Sequence, residues 1–290
     1  MATATTTRAT ASGTMPRKIT LSDFLKGSPN LPPRITVHGR AGVGKTEFAA
    51  SSPEPIFLLS PSETGLQTLM DAGQVDPSIY SIECQEFSDL LGAIEFLRTE
   101  KHNRQTAVID TINGMEKLAN VQVCNSDYSG DMSAKGFMNY QAGYRTVSMG
   151  VWKQLLSALD RLRIERKMRI LLLAHTGVSN HKNPQGDDYM RWIPQFEGKA
   201  AWELTYGWSD IVLLADYEVK TKKEGDRNAK AKAKGGDYRL FRCNWSAAYD
   251  AKNRYCLPDE IPMGNSGREA WQNLTEAIAA SKTINTEGTK

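Results

Sequence analysis

The chain has 290 residues, with 36 Lys and Arg against 33 Asp and Glu, a net charge of +3 and 40% hydrophobic residues. These values are ordinary for a soluble α/β domain, and so small an overall charge gives no argument for nucleic-acid binding. No run approaches the ~18 apolar residues of a membrane span. The four cysteines have neither zinc-ligand spacing nor the density of a disulfide scaffold.

Composition divides the chain into three predicted segments. Residues 1–17 are rich in Ala and Thr and lack the apolar core of a secretory signal, so we expect a disordered tail. Residues 18–262 carry the apolar periodicity of a folded core. Residues 263–290 are predicted to form a C-terminal helix and a polar tail.

Short apolar runs alternate with longer amphipathic segments along the core. This pattern is typical of a mainly parallel sheet flanked by helices. The predicted strands span 34–38, 55–59, 106–110, 168–174, 211–215, 217–222 and 238–244, and the predicted helices span 45–50, 87–101, 116–123, 152–166 and 264–278. The last two strands are joined by a tip rich in Lys, Gly and Ala at 223–237, which predicts a C-terminal β-hairpin.

A complete phosphate-binding loop (P-loop) lies between the first strand and the first helix, with the sequence Gly39-Arg40-Ala41-Gly42-Val43-Gly44-Lys45-Thr46. Its glycines let successive backbone N–H groups face phosphate oxygens, while Lys45 bridges the terminal phosphates and the Thr46 hydroxyl ligates Mg²⁺. The following helix adds its positive end. We therefore predict a nucleoside triphosphate site; the alternative is a Gly-rich turn with a surface lysine.

Three polar residues at strand ends extend this prediction. Asp110 ends the run Ala107–Asp110, where an acid can hold the magnesium ion, although it could also cap the next helix. Glu63 follows the second strand and is the candidate for activating water, with an exposed loop glutamate as the alternative. His175 ends the strand 168–174, where it can contact the terminal phosphate or be purely structural.

Together these residues resemble the RecA-like ATPases, and in particular the phage-encoded RecA-like proteins that include the Sak-type single-strand annealing proteins. The resemblance runs from about Arg34 to about Pro258. Leu58–Leu66 is similar to the segment whose glutamate activates water, and Leu171–Thr176 is similar to the sensor strand, with His175 in place of glutamine. The resemblance implies a RecA-like core, ATP with Mg²⁺ as ligands, adenine as the base, and a bacterial host cytoplasm as the location.

The segment Ala251–Tyr255 resembles the Lys-Asn-Lys element that RecA protomers insert into a neighbour's nucleotide site. The resemblance implies a homo-oligomer in which Lys252 and Arg254 act in trans on transition-state phosphates. Arg254 departs from the lysine of that element, and a basic turn without catalytic role is the alternative. The chain also lacks a recognisable RecA N-terminal oligomerisation domain, which argues against RecA-type filaments and leaves rings or short stacks as alternatives.

Single-stranded DNA is the partner that the resemblance implies, with a single-strand binding protein as a further candidate. The loops expected to face DNA, at 125–146 and 176–200, mix aromatics with cations, as suits stacking on unpaired bases. The hairpin tip adds a flexible run of lysines. The candidate DNA contacts are Lys182, Arg191, Trp192, Lys222, Lys223, Lys230, Lys232 and Lys234. A charged loop that only keeps the chain soluble is the alternative.

The leading hypothesis is an ATPase that is stimulated by single-stranded DNA and promotes annealing or strand exchange. A nucleotide-gated loader or regulator, which assembles a protein complex without direct DNA chemistry, would use the same P-loop. A GTPase is disfavoured because no Asn-Lys-x-Asp motif is present, and a small-molecule kinase because no Arg-rich lid is found.

Overall fold

A computed structural model of the protein describes residues 20, 30–222 and 232–287. The predicted tail at 1–17 and residues 223–231 of the predicted basic tip lie outside the described residues. The chain divides into two compact units, Met1–Asn30 and Leu31–Lys290, and the second contains all the described strands and helices.

Strands and helices alternate along the second unit. The strands are β1 (Arg34–Gly39), β2 (Pro55–Leu59), β3 (Tyr80–Glu83), β4 (Thr106–Asp110), β5 (Arg169–His181), β6 (Tyr189–Pro194), β7 (Ile211–Lys222), β8 (Lys232–Arg242), β9 (Lys252–Asn253) and β10 (Glu260–Pro262). The helices are α1 (Lys45–Ala50), α2 (Gly65–Asp71), α3 (Phe87–Thr99), α4 (Ile112–Asp127), α5 (Ala142–Val147), α6 (Lys153–Arg166), α7 (Lys199–Trp208) and α8 (Gly267–Glu287).

The described strands form one sheet in the order β10-β8-β7-β1-β5-β4-β2-β3, with β6 paired to β5 and β9 paired to β7. The pairs from β7 through β1, β5, β4 and β2 to β3 are all parallel. The β7–β8 pair is antiparallel and forms the C-terminal hairpin. The predicted mainly parallel sheet with flanking helices and a hairpin is therefore confirmed.

Both faces of the sheet are buried, which is what an all-parallel central region requires. One core joins α3, α4 and α6 to the sheet, and it includes the predicted apolar stripe of α6: Leu155, Leu156, Leu159 and Leu162. The other core joins α1 and α8 to the opposite face, where Ile35 and Val37 of β1 point. The alternate β1 residues Thr36 and His38 are buried but polar, so each needs a hydrogen-bond partner.

The C-terminal region differs from the prediction. Residues 211–222 form one strand instead of two, and β8 begins at Lys232, so the predicted tip at 223–237 is too long. The antiparallel ladder continues to the pair Lys222↔Lys232, which satisfies backbone groups that a loop would leave to water.

The C-terminal helix belongs to the core unit and reaches Glu287, beyond the predicted end at 278. The ring centroid of Trp271 in this helix lies 5.5 Å from that of Phe48 on α1, and Leu274 is fully buried. Helix α8 therefore packs into the same core as α1. In the described part of the chain, no helix combines the length and apolarity that crossing a bilayer requires.

Candidate functional site

The P-loop connects the carboxyl end of β1 to α1, in the strand–loop–helix arrangement that phosphate binding requires. Two of its glycines are needed for the backbone path. A methyl group at Gly39 would lie 2.4 Å from the carbonyl oxygen of Ala215 on β7. Gly44 has φ +98°, a conformation that L-residues rarely adopt. The sequence therefore forms this tight loop at the sheet edge where the parallel strands end.

Lys45 is buried at the start of α1, and its Nζ donates to the carbonyl oxygens of Gly39 and Arg40 at 2.9 and 3.0 Å. Burial lowers the pKa of Lys45, while the nearby carboxylates of Asp110 and Glu63 act in the opposite direction. The ammonium group thus sits inside the loop next to two acids.

Thr46 and Asp110 bring two oxygens together. The Thr46 hydroxyl donates to Asp110 Oδ2 at 2.8 Å, so the first turn of α1 contacts the end of β4. Burial, followed by the charge of Glu63, raises the pKa of Asp110 to about 6, so a bound cation would favour its ionised form. The helix-cap alternative for Asp110 is not realised, because the cap of α4 is Thr111, whose hydroxyl accepts from the N–H of Gly114.

Glu63 and His175 meet at the same edge. Glu63 Oε2 lies 3.6 Å from His175 Nε2, and Glu63 Oε1 accepts from the N–H of Gly65 at 3.4 Å. The polar contact with His175 lowers the pKa of Glu63, although partial burial raises it. Glu63 is therefore a half-buried carboxylate facing the P-loop, unlike the exposed loop residue of the alternative interpretation.

The order β2-β4-β5-β1 explains this convergence. Glu63 follows β2, Asp110 ends β4, His175 lies in β5 and Lys45 follows β1. Because these four strands are parallel neighbours, their carboxyl ends deliver an acid, a second acid, an imidazole and an ammonium to one place. A P-loop with these neighbours is typical of a nucleotide-hydrolysing enzyme.

Residues 31–255 match the family model described as an AAA domain. The chain belongs to the AAA domain family. It is thus a P-loop ATPase. Comparison with curated proteins found no match. Among solved structures, a crystal structure of the RadB recombinase is similar at 10% identity with a TM-score of 0.43, over 82% of this chain and 90% of that chain.

In this AAA domain protein, Lys252 and Arg254 lie away from the P-loop of their own chain. Lys252 begins β9, and Arg254 directly follows this strand. Strand β9 pairs with the amino end of β7, where Ile211 faces Asn253 on one side and Ile35 on the other. Ile35 precedes Gly39 by four residues, or roughly 13 Å along a strand. Lys252 Nζ donates to the carbonyl oxygens of Tyr206 and Gly207 at 2.6 and 2.9 Å.

The segments predicted as DNA-facing loops of the AAA domain protein are more ordered than expected. Residues 176–200 contain the β5–β6 hairpin and the first turn of α7. Residues 125–146 include the end of α4, a 3₁₀ turn and most of α5, and Phe137 among them is fully buried. Phe137 therefore cannot stack on a base, whereas Tyr140 remains 88% exposed.

The candidate DNA contacts of the AAA domain protein differ in burial and in whether the structure describes them. Arg191 is a wrong candidate, because its buried guanidinium is held by Asp250 at 2.7 Å and by two backbone carbonyls. Lys182 is exposed and pairs with Asp188, while Trp192 lies 4.5 Å from the guanidinium of the P-loop residue Arg40. Lys222, Lys232 and Lys234 lie in the β7–β8 ladder, and Lys223 and Lys230 fall outside the described residues.

Three side chains next to the P-loop of this AAA domain protein escaped the sequence prediction. His38 Nε2 donates to the carbonyl oxygen of Asp250 at 2.7 Å, and its Nδ1 contacts the Thr176 hydroxyl. The hydroxyl of Tyr217 donates to the carbonyl oxygen of Gly42 at 3.1 Å. Arg239 reaches Gly44 from β8. No local motif marks them, because only the sheet order brings them to the loop.

Proposed function

We propose that this AAA domain ATPase binds ATP with Mg²⁺ at the P-loop and hydrolyses it to control single-stranded DNA during recombination. The observation that carries the hydrolytic part is the convergence of Lys45, Thr46, Asp110, Glu63 and His175 at one sheet edge. Two oxygens that suit magnesium, Thr46 Oγ1 and Asp110 Oδ2, already lie 2.8 Å apart.

Each residue has a distinct part in the proposed reaction. Lys45 leaves its loop carbonyls and binds the terminal phosphates, where its charge offsets the charge that develops as the phosphoryl group transfers. Thr46 and Asp110 would hold Mg²⁺, which would supply further positive charge at the site. Glu63 orients the attacking water and accepts its proton, since its lowered pKa keeps it ionised at neutral pH.

His175 serves as a sensor of the terminal phosphate. Its ring is 3.6 Å from Glu63, and its strand continues directly into the β5–β6 hairpin. A movement of His175 would also move Thr176, the next residue of the chain, where the β5–β6 hairpin begins. This arrangement supports a link between hydrolysis and whatever the hairpin binds.

Single-stranded DNA is the proposed partner of the hairpin. Its exposed side chains include Lys182, Val178 and Met190, and Trp192 connects it to Arg40 of the P-loop. Cations beside exposed apolar groups and a half-buried aromatic ring suit a strand of unpaired bases. The motif resemblance supports a Sak-type annealing protein of phage origin, acting in the cytoplasm, with a single-strand binding protein as a further proposed partner.

The proposed active form is a homo-oligomer. Lys252 and Arg254 cannot serve their own P-loop from the far end of β7, so their role requires a neighbouring copy of the chain. Arg254 is exposed, and among the described residues its guanidinium has a 3.5 Å contact with Asp210 and a 3.4 Å contact with Gly207. A guanidinium held this loosely can rearrange onto a neighbour's phosphates.

The test is ATP turnover with and without single-stranded DNA, for the parent and for Lys45→Ala, Glu63→Gln and Arg254→Ala. We expect DNA to raise turnover of the parent and each substitution to abolish most of it. Mixing Lys45→Ala with Arg254→Ala should restore part of the activity, because one intact shared site forms between the two variants. If DNA does not change the rate of ATP turnover, the recombination role is rejected and a loader of a protein complex is favoured. If mixing the two variants restores no activity, action in trans is rejected.

A further inference from the structure

Arg239 approaches the P-loop from the flank opposite to Glu63 and His175. It lies on β8, directly across from Tyr217 of β7, whose hydroxyl already contacts the loop at Gly42. In the sheet, β7 and β8 lie on one side of β1, whereas β5, which carries His175, and β2, which precedes Glu63, lie on the other. The loop is thus contacted from both sides.

The Arg239 guanidinium lies against the P-loop backbone. A methyl group placed on Gly44 would be 2.4 Å from Arg239 Nη1 and 3.5 Å from its Cζ. Gly44 immediately precedes Lys45, so the guanidinium sits beside the backbone amides that face phosphate oxygens in a P-loop. A side chain larger than hydrogen at position 44 would displace it.

The present partners of Arg239 leave donors available. Nη2 donates to the carbonyl oxygen of Gly264 at 3.1 Å, while Nη1 lies 3.6 Å from Glu47 Oε2. That separation exceeds the roughly 2.7–2.9 Å of a charge-assisted hydrogen bond. The other oxygen of Glu47 is taken by the N–H of Gly267 at 2.7 Å. Glu47 therefore fixes α1 to α8 and is only a loose counter-ion for Arg239.

The position of Arg239 beside the P-loop determines which phosphates of a bound nucleotide it can contact. P-loop amides cradle the α- and β-phosphates, while the lysine reaches the β- and γ-phosphates and the Thr hydroxyl ligates the metal. Lys45, Thr46 and Asp110 share the flank of Glu63, where hydrolysis would occur. Arg239 lies beside Gly44 and Glu47, on the flank away from Glu63.

We propose that Arg239 is a nucleotide-contacting residue that binds the α- and β-phosphates in cis. This inference rests on the nucleotide binding proposed above and adds a second cation to the site. On binding, Nη1 exchanges its loose contact with Glu47 for a phosphate oxygen, and the planar guanidinium can form two parallel hydrogen bonds. Because ADP keeps both phosphates, Arg239 holds the product as firmly as the substrate.

The test compares affinities of the full-length chain for ATP and for ADP, each with Mg²⁺, by calorimetry. Arg239→Ala should weaken both by a similar factor, about 10- to 100-fold, as expected for loss of a hydrogen bond between charged groups. Arg239→Lys should lose less, since it keeps the charge without the fork. Glu47→Gln removes the competing anion but keeps an oxygen for Gly267, so affinity should stay equal or rise.

Weaker affinity in Arg239→Ala, without weakening in Glu47→Gln, distinguishes ligand binding from support of the fold. Equal weakening by Arg239→Ala and Glu47→Gln would overturn the proposal, because a purely structural ion pair loses the same contact either way. Unchanged affinity in Arg239→Ala, or weakening for ATP alone, would also overturn it. Melting temperatures without nucleotide show whether each variant folds, and Arg239→Lys carries the comparison if the alanine variant does not.

The parent and Lys45→Ala separate this proposal from the wider one. If the parent binds ATP, Lys45→Ala does not, and Arg239→Ala equals the parent, only the Arg239 assignment fails. If the parent binds no nucleotide, both fail together. Indifference of turnover to DNA affects the recombination role alone, since Arg239 concerns binding in cis.

Discussion

His38 should make the stability of the protein depend on pH, and the structure allows the size of the effect to be estimated. The imidazole is fully buried beneath the P-loop, and burial lowers its pKa from 6.5 to about 4. Its Nε2–H donates to the carbonyl oxygen of Asp250, so Nδ1 accepts from the Thr176 hydroxyl in the neutral form. The folded state therefore resists protonation that the unfolded chain accepts.

Because the folded state binds a proton at His38 less readily than the unfolded chain, acidification lowers the free energy of unfolding. Above pH 6.5 both states are neutral at His38 and the stabilisation is fully present; it is lost as pH falls from 6.5 towards 4. A tenfold change in a dissociation constant is worth about 1.4 kcal/mol, so the full effect is about 3.4 kcal/mol and roughly 2 kcal/mol is lost by about pH 5. Glu116 works in the opposite direction, because burial raises its pKa to about 7.

The assay must therefore compare variants, because opposing groups can flatten the profile of the parent. We would measure the free energy of unfolding by urea for the parent and His38→Gln at about pH 7.5 and about pH 5. Relative to the parent, the variant should gain about 2 kcal/mol on acidification. Glu116→Gln is the control of sign and should lose stability relative to the parent over the same interval. A His38→Gln difference that does not change with pH would refute the reasoning.

Three further outcomes are expected at the nucleotide site. Glu63→Gln should slow ATP turnover, measured by phosphate release, by about 10²- to 10⁴-fold. It should leave ATP affinity, measured by calorimetry, within a few-fold of the parent. A turnover rate within threefold of the parent would contradict a role in water activation. Asp110→Asn should remove the additional rise in melting temperature that Mg²⁺ gives in the presence of ATP, and an unchanged rise would exclude Asp110 as a ligand. Gly42→Ala and Gly44→Ala should each destabilise the chain by about 1–2 kcal/mol, because both have positive φ. Gly44→Ala should weaken ADP binding more than Gly42→Ala does, because only the methyl group at position 44 would also displace Arg239. Equal ADP affinity in the two variants would contradict that contact.

Much of the site could be predicted from local patterns. The P-loop is recognisable because the backbone turn, the ammonium and the hydroxyl come from eight consecutive residues. Asp110 and His175 were found because each ends a short apolar run, and the carboxyl ends of parallel strands converge whatever the details of packing. Glu63 is a candidate because it follows the second strand, but a loop glutamate carries no distinctive local signal. Only the resemblance to a family favours it over the alternative of an exposed loop residue.

Other features depend on pairs of residues that lie far apart in the sequence. Arg191 resembles a free cation in a polar loop, yet Asp250 captures it because an unpaired buried charge would be strongly destabilising. The Lys- and Gly-rich sequence predicts too short a strand β8. Its additional residues form a strand because the partner strand β7 supplies hydrogen bonds to their backbone groups.

The sequence by itself determined the phosphate-binding loop, the acid and imidazole that end the neighbouring strands, and a parallel α/β core, because each depends on contiguous residues or on simple periodicity. Only the tertiary structure decided that Arg239 and Tyr217 touch the loop, that His38 is held between Thr176 and Asp250, and that Lys252 and Arg254 lie away from the P-loop of their own chain. The physical reason is strand order. Which residues become neighbours across a sheet is set by packing of the whole chain, and no local stretch of sequence contains that information.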